Sequence, residues 1–137
     1  MITRTGIHAL RAMAALGGIT RGGYAGAAEI AAKIKAPRNY LGKLLGKLSR
    51  AGLVDAQRGA NGGFRLARRA GDITLFDVLE PVEDLRRLQE CFLGETRCSG
   101  RGSCPLHPKW SKIRDQYIGF LKHTKLQSVV DEAAGLR

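Results

Sequence analysis

The sequence predicts a mainly α protein carrying one small two-stranded β ribbon between its third and fourth helices. Apolar residues recur at helical spacing in five separate stretches. One basic stretch, LVDAQRGANGGFRLARR (53–69), instead divides into two short apolar segments around a glycine-rich tip. With 137 residues and a hydrophobic fraction of 44%, the chain can bury one real core but not two ordinary ones.

In order along the chain, a first helix is expected from about Thr3 to Leu16, ended by the glycines of GGITRGGY. AAEIAAKI (27–34) follows as a short helix with Ile30 and Ile34 one turn apart on its inner face. Pro37 suits the first turn of a third helix, where a missing amide proton costs nothing. That helix, RNYLGKLLGKLSRAG, sets Tyr40, Leu41, Leu44, Leu45 and Leu48 on one side and Arg38, Asn39, Lys43, Lys47 and Arg50 largely on the other, with Gly52 as its C-terminal glycine. Gly42 and Gly46 each weaken it by about 1 kcal/mol relative to alanine, a loss that packing is expected to offset. The ribbon spans about 53–58 and 63–67, with Asn61-Gly62 at a tight turn whose central residues need positive φ. Thr74 caps a helix through LFDVLEPVED, with Asp77 in its first turn and Pro81 bending or restarting it. Asp77, Glu80, Glu83 and Asp84 read as a solvated acidic face. From Pro108 a last helix, WSKIRDQYIGFLKH, carries Trp110, Ile113, Tyr117, Phe120 and Leu121 on a stripe too apolar for water, so a second subunit is its natural cover. The expected organisation is 1–80 for the first unit, 81–107 for a linker and cysteine-rich loop, and 108–137 for a dimerisation helix and C-terminal tail.

Helix, helix, turn, basic helix and basic hairpin is the order of a winged helix-turn-helix, and the charge agrees with that reading. Lysine and arginine number 23 against 12 acidic residues, a net charge of +11 that favours a polyanionic partner, nucleic acid before membrane. A helix fits the major groove of double-stranded DNA, and arginines on a thin hairpin can follow phosphates or enter the minor groove. The candidate DNA-binding residues are Arg38, Asn39, Tyr40 and Lys43 on the helix, and Arg58, Asn61, Gly62 and Arg65 on the wing. No apolar run reaches the roughly 18 residues of a membrane span. Arg11 interrupts the alanine-rich start, which reads as a packed helix rather than a leader, so a cytoplasmic protein is expected. No phosphate-binding glycine loop, nucleophile-base signature or HExxH pattern appears, and nothing argues for an enzyme.

All three cysteines fall within CFLGETRCSGRGSCPLHP (91–108). An odd number of clustered thiols in a reducing compartment points to metal ligation or redox sensing rather than to disulfides. Cys91, Cys98, Cys104 and His107 form C-x6-C-x5-C-x2-H. Three thiolates and an imidazole can hold an iron-sulfur cluster. They also make an acceptable zinc set, although structural zinc sites usually use closer cysteine pairs. In a metal-free thiol switch, Arg97 and Arg101 would favour the reactive thiolate.

YLGKLLGKLSRAGLVDAQRGANGGFRLAR followed by ITLFDVLEPVE closely resembles the Rrf-two family of bacterial transcription regulators, the group of IscR-, NsrR- and RirA-like proteins. The likeness runs from TGIHALRAM near the start to FLKHTKLQSVV near the end. It implies a homodimer whose long C-terminal helix crosses to the other subunit. It also implies an iron-sulfur cluster, 2Fe-2S before 4Fe-4S, in the three-cysteine loop, whose state alters affinity for a pseudo-palindromic operator. Some members take a ligand from the N-terminal helix of the partner subunit, which makes His8 an alternative to His107. Gly42 stands where the cluster-assembly regulators carry a glutamate, so their operator sequences do not transfer. Six residues separate the first two cysteines here, where five are usual in those regulators.

Overall fold

The computed structural model describes residues 2–19, 23–90, 92–93 and 105–135. Helices α1 (Arg4–Gly17), α2 (Ala27–Ile34) and α3 (Arg38–Arg50) precede strands β1 (Val54–Gln57) and β2 (Gly63–Leu66). A short α4 (Leu75–Leu79), the long α5 (His107–His123) and α6 (Leu126–Gly135) complete the chain, with 3-10 turns at Ala70–Asp72 and Leu85–Gln89.

The first three helices share one core. Ala9, Ala12 and Met13 of α1, Ile30 and Ile34 of α2, and Leu41, Leu44, Leu45 and Leu48 of α3 all belong to it. Full burial of one such leucine is worth about 1.5–3 kcal/mol. Pro37 sits at the N-cap of α3, one residue earlier than expected, and its carbonyl accepts from the Leu41 amide at 3.0 Å. At the other end the Leu53 amide donates to Leu48 and the Gly52 amide to Ser49, with Gly52 at φ +80. This is a Schellman closure, which places the apolar Leu53 back in the core.

Strands β1 and β2 pair antiparallel from Val54↔Leu66 to Gln57↔Gly63. The expected tight turn at Asn61-Gly62 is not formed. The loop is Arg58–Gly62, and positive φ falls instead on Gly59 (+108) and Gly63 (+140). Tertiary pairing decides this. Ala25 and Phe64 exchange two backbone hydrogen bonds of 2.8 Å, and a side chain at Gly63 would collide with the Ala25 carbonyl. The wing is thereby fastened to the segment that leads into α2.

Helix α4 stops at Leu79 rather than continuing to residue 84. Thr74 caps its start as expected, and Asp77 completes a full capping box: the Asp77 amide donates to Thr74 Oγ1 (3.0 Å) and the Thr74 amide to Asp77 Oδ2 (2.9 Å). Pro81, without an amide proton, follows the stop. Within the acidic stretch, Glu83 departs from the solvated role expected of it. Its Oε1 accepts from both the amide and the hydroxyl of Thr3, each at 2.6 Å. A side chain at Gly6 would strike that carboxylate.

The C-terminal tail turns back as α6. The Leu126 amide donates to the Ile73 carbonyl (2.7 Å) and the Leu75 amide to the Thr124 carbonyl (3.0 Å), and Leu126 and Val130 enter the same core as α1. Helix α5 buries Leu121 against Leu75 and Leu79 and packs Tyr117 beside them. Ile113 and Phe120, seven residues apart, are each 54% exposed, so two of the five stripe residues lack a cover within the chain.

Burial first, and the Glu83 carboxylate second, push the Tyr117 phenol above its ordinary range. The stabilisation linked to this shift is present below the unfolded phenol's pKa and lost as pH rises through the folded one. Glu83→Gln should therefore lower the Tyr117 titration, measured as the ultraviolet difference from a Tyr117→Phe control. An unchanged titration would leave burial as the sole cause.

Candidate nucleic-acid interface and cysteine loop

The outer face of α3 is a shallow groove between cations. Arg38, Asn39, Lys43, Lys47 and Arg50 are exposed around Gly42 and Gly46. A β-carbon at Gly42 would meet nothing within 4 Å, and one at Gly46 only the Arg50 guanidinium at 3.7 Å. The offset expected from packing comes from Leu41, Leu44, Leu45 and Leu48 on the opposite face, and nothing in the core packs on the glycines themselves. Their effect is to leave the helix backbone bare along the groove. Among the described residues Arg38, Lys43, Lys47 and Arg50 form no ion pair, and the first turn of α3 holds no acid. Such a face repels itself and attracts an extended anion.

Tyr40 lies at the edge of this face. It is half-buried against α1, where its hydroxyl is 3.2 Å from His8 Nδ1 and the two rings meet edge-on at 5.3 Å. Arg58 and Asn61 are exposed at the wing tip, as a contact role requires. Gly62 is a backbone residue of the loop, pressed onto the Gln57 carbonyl with no room for a side chain. Arg65 is turned to the base of the wing, its Nε 3.6 Å from Asp55 Oδ2 and its guanidinium carbon 4.6 Å from the Tyr24 ring centroid.

Cys91, Cys98 and Cys104 lie outside the described residues, whereas His107 is the half-exposed first residue of α5. The segment's two ends meet at a residue that the sequence placed only in an apolar stripe. The Trp110 indole N–H donates to the Glu90 carbonyl at 3.1 Å, and the Trp110 ring packs 5.5 Å from Phe92. Glu90 and Phe92 bracket Cys91, and Trp110 follows His107 by three residues, about one helical turn. Glu90, Phe92 and Trp110 thus lie together. An indole three residues after His107 was the available signal, but nothing local specifies an acceptor twenty residues away.

The chemistry of the donor set suits an iron-sulfur cluster: three thiolates and an imidazole would make up four ligands. The first turn of α5 carries no acidic residue that would repel a thiolate-rich assembly. His8, the alternative imidazole, turns its Nδ1 toward Tyr40.

Comparison with known proteins agrees with this architecture. The family model described as "Iron-dependent Transcriptional regulator", named Rrf2, matches residues 2–132. An HTH-type transcriptional regulator of Aquifex aeolicus is 33% identical over 105 residues, covering 75% of this chain and 73% of that protein. Among solved structures, CymR (YrzC), the global cysteine regulator of B. subtilis, superposes with a TM-score of 0.79 at 26% identity, covering 96% of this chain and 97% of that one. IscR of T. potens gives 0.75 at 25% identity, covering 97% and 88%. The oxidized form of Staphylococcus aureus CymR gives 0.75 at 26% identity, covering 95% of each chain. With the winged-helix fold, the basic α3 face and this family match in place, the chain belongs to the Rrf2 family of transcriptional regulators.

Proposed function

We propose that the chain is a homodimeric regulator that reads a pseudo-palindromic operator in double-stranded DNA and changes its operator affinity through an iron-sulfur cluster held by Cys91, Cys98, Cys104 and His107. The closure of Glu90 and Phe92 on Trp110 carries the cluster reading, because it draws the neighbourhoods of Cys91 and His107 together. Histidine among the ligands, as in known 2Fe-2S centres, favours 2Fe-2S over 4Fe-4S. The cluster, when bound, supplies redox-active and reagent-sensitive iron and sulfide. The protein supplies the rest: thiolates to ligate, Trp110 to close the loop, and α5 to present His107. The proposed organisation keeps residues 1–80 as the DNA-binding unit, 81–107 as linker and ligand loop, and 108–137 as the dimerisation segment. A second copy of α5 covers Ile113 and Phe120 in this arrangement.

On DNA, Arg38, Asn39 and Lys43 meet the major groove while Arg58 and Asn61 of the wing follow the backbone or enter the minor groove. Ordering of the ligand loop resets the separation of the two α3 helices, and half-site spacing of about 34–36 Å makes small changes costly. Because coupling between binding sites is reciprocal, operator DNA also changes cluster stability.

The thiol-switch reading retains support from the structural match to an oxidized form of CymR. Anaerobic purification with absorption, iron and acid-labile sulfide analysis separates the readings. A coloured protein containing both elements is expected, and its colour is lost in Cys91→Ala, Cys98→Ala and Cys104→Ala. His107→Ala should retain less cluster or shift its potential, and Trp110→Phe, which keeps the ring without the N–H, should lose cluster faster than the parent. A colourless protein whose DNA binding responds to peroxide and recovers with thiol would establish the switch instead. Stoichiometric zinc would overturn both.

Two substitutions test the DNA face. Arg58→Ala should weaken operator binding and lower the salt slope by about one. Gly42→Ala should raise the melting temperature by a few degrees, since alanine gains about 1 kcal/mol of helix propensity in open space, yet reduce operator affinity by blocking close approach. Equal affinity in the Gly42 variant would show that the bare groove does not meet DNA.

A further inference from the structure

Arg65 belongs to the basic wing by sequence, but its surroundings are those of a structural joint. Its guanidinium lies over the Tyr24 ring, 4.6 Å from the centroid, and its Nε lies 3.6 Å from the Asp55 carboxylate on the paired strand. Tyr24 directly precedes Ala25, whose amide and carbonyl are both bonded to Phe64 at 2.8 Å, and Phe64 directly precedes Arg65. Backbone pairing and ring contact therefore act on the same two adjacent pairs of residues, while the ion pair ties Arg65 to β1. The segment 24–25 leads into α2, which packs against α3. A two-stranded ribbon alone is marginally stable and free to tilt. Here its base is held from the outside by the chain that carries the helix pair.

We propose that Tyr24, Arg65 and Asp55 form a brace that sets the angle of the wing relative to α3, making Arg65 and Tyr24 positioning residues for the DNA contact of Arg58. The proposal rests on the reading that the wing meets DNA through Arg58. Electrostatics supports a division of labour between the two arginines. A guanidinium stacked on a ring and shared with a carboxylate is already partly compensated, whereas Arg58 at the tip has no ion pair among the described residues. The planar guanidinium also suits the joint, because it can lie flat on Tyr24 while its edge faces Asp55.

Tyr24 brings no cation to the wing, and this makes it the informative site to change. Tyr24→Leu keeps apolar bulk and removes the aromatic face; Tyr24→Phe keeps the face. Operator binding of the full chain is measured across a salt series for both, alone and combined with Arg58→Ala or Lys43→Ala, with thermal melts to confirm folding. Tyr24→Leu should lower affinity about three- to tenfold and reduce the salt slope by up to about one, since a misaligned wing loses the phosphate contact of Arg58. Tyr24→Phe should stay within about twofold of the parent, because the stacking face is retained. In the Tyr24→Leu background, Arg58→Ala should cost less than about half its usual fold-loss, while Lys43→Ala should remain additive. An unchanged slope in Tyr24→Leu, or full additivity with Arg58→Ala, would overturn the brace while leaving the wing contact intact. If Arg58→Ala alone changes neither affinity nor slope, the wing reading itself fails.

Discussion

The fold depends on how closely other elements can approach α1. Its inner face presents Ala9, Ala12 and Met13, all fully buried, and α2, α3, α4, α6 and β2 each pack against this helix. Small side chains at two of these positions admit neighbouring backbones at short range, and dispersion contacts then accumulate over many atom pairs. Enlarging either alanine would have to displace several elements at once, because the interior is close-packed. The same centrality makes α1 the common reference for the recognition helix, the wing and the C-terminal helices. Its own start is held by Thr3 and the Glu83 carboxylate, which brings an acidic group to a helix end whose first turn contains none.

That arrangement sorts charge by location. The ion pairs Arg65–Asp55, Arg86–Asp84 and Arg114–Asp115 lie on the wing strands, at the second 3-10 turn and on α5, whereas the α3 cations have no ion pair among the described residues. Bringing several unpaired cations onto one helix face costs self-repulsion in the isolated subunit. Two glycines in the same face cost helix propensity as well. Both features oppose the stability of the isolated subunit and suit a surface that receives an anionic partner at close range. This separates the α3 face from the wing base, where Arg65 is matched with Asp55 and Tyr24.

Features specified within a few residues were legible in the sequence. The Thr74–Asp77 capping box, the Gly52 closure and the leucine stripe of α3 each follow from local spacing, and each is found. Features decided by distant partners were not. Asn61-Gly62 has the composition of a tight turn, yet the Ala25–Phe64 pairing moves positive φ to Gly63. Glu83 reads as one acid among four in the sequence, because the Thr3 groups that donate to it lie eighty residues away. Helix α6 was hidden because its anchors, Leu126 and Val130, are too few to stand out in a ten-residue segment, and its position is set by backbone bonds to Ile73 and Leu75. For the candidate site, the basic α3 face, the wing tip and the place of Tyr40 beside the α3 leucines could be read directly, whereas its His8 partner, the joint role of Arg65 and the Glu90 partner of Trp110 could not.

These distant contacts also connect the two ends of the proposed function. Trp110 closes the base of the cysteine segment; two turns further along α5, Tyr117 feels the Glu83 carboxylate; Glu83 holds Thr3 at the start of α1; and His8, in the second turn of α1, meets Tyr40 at the start of α3. Allosteric coupling typically amounts to about 1–3 kcal/mol, or roughly 5- to 150-fold in affinity. One hydrogen bond contributes about 0.5–1.5 kcal/mol net. On the proposed reading, a change in the cysteine segment would therefore alter DNA affinity without repacking the core. Altering two or three polar contacts along α5 and α1 is energetically sufficient, and the small side chains of α1 leave the tightly packed centre as the fixed body against which such a change acts.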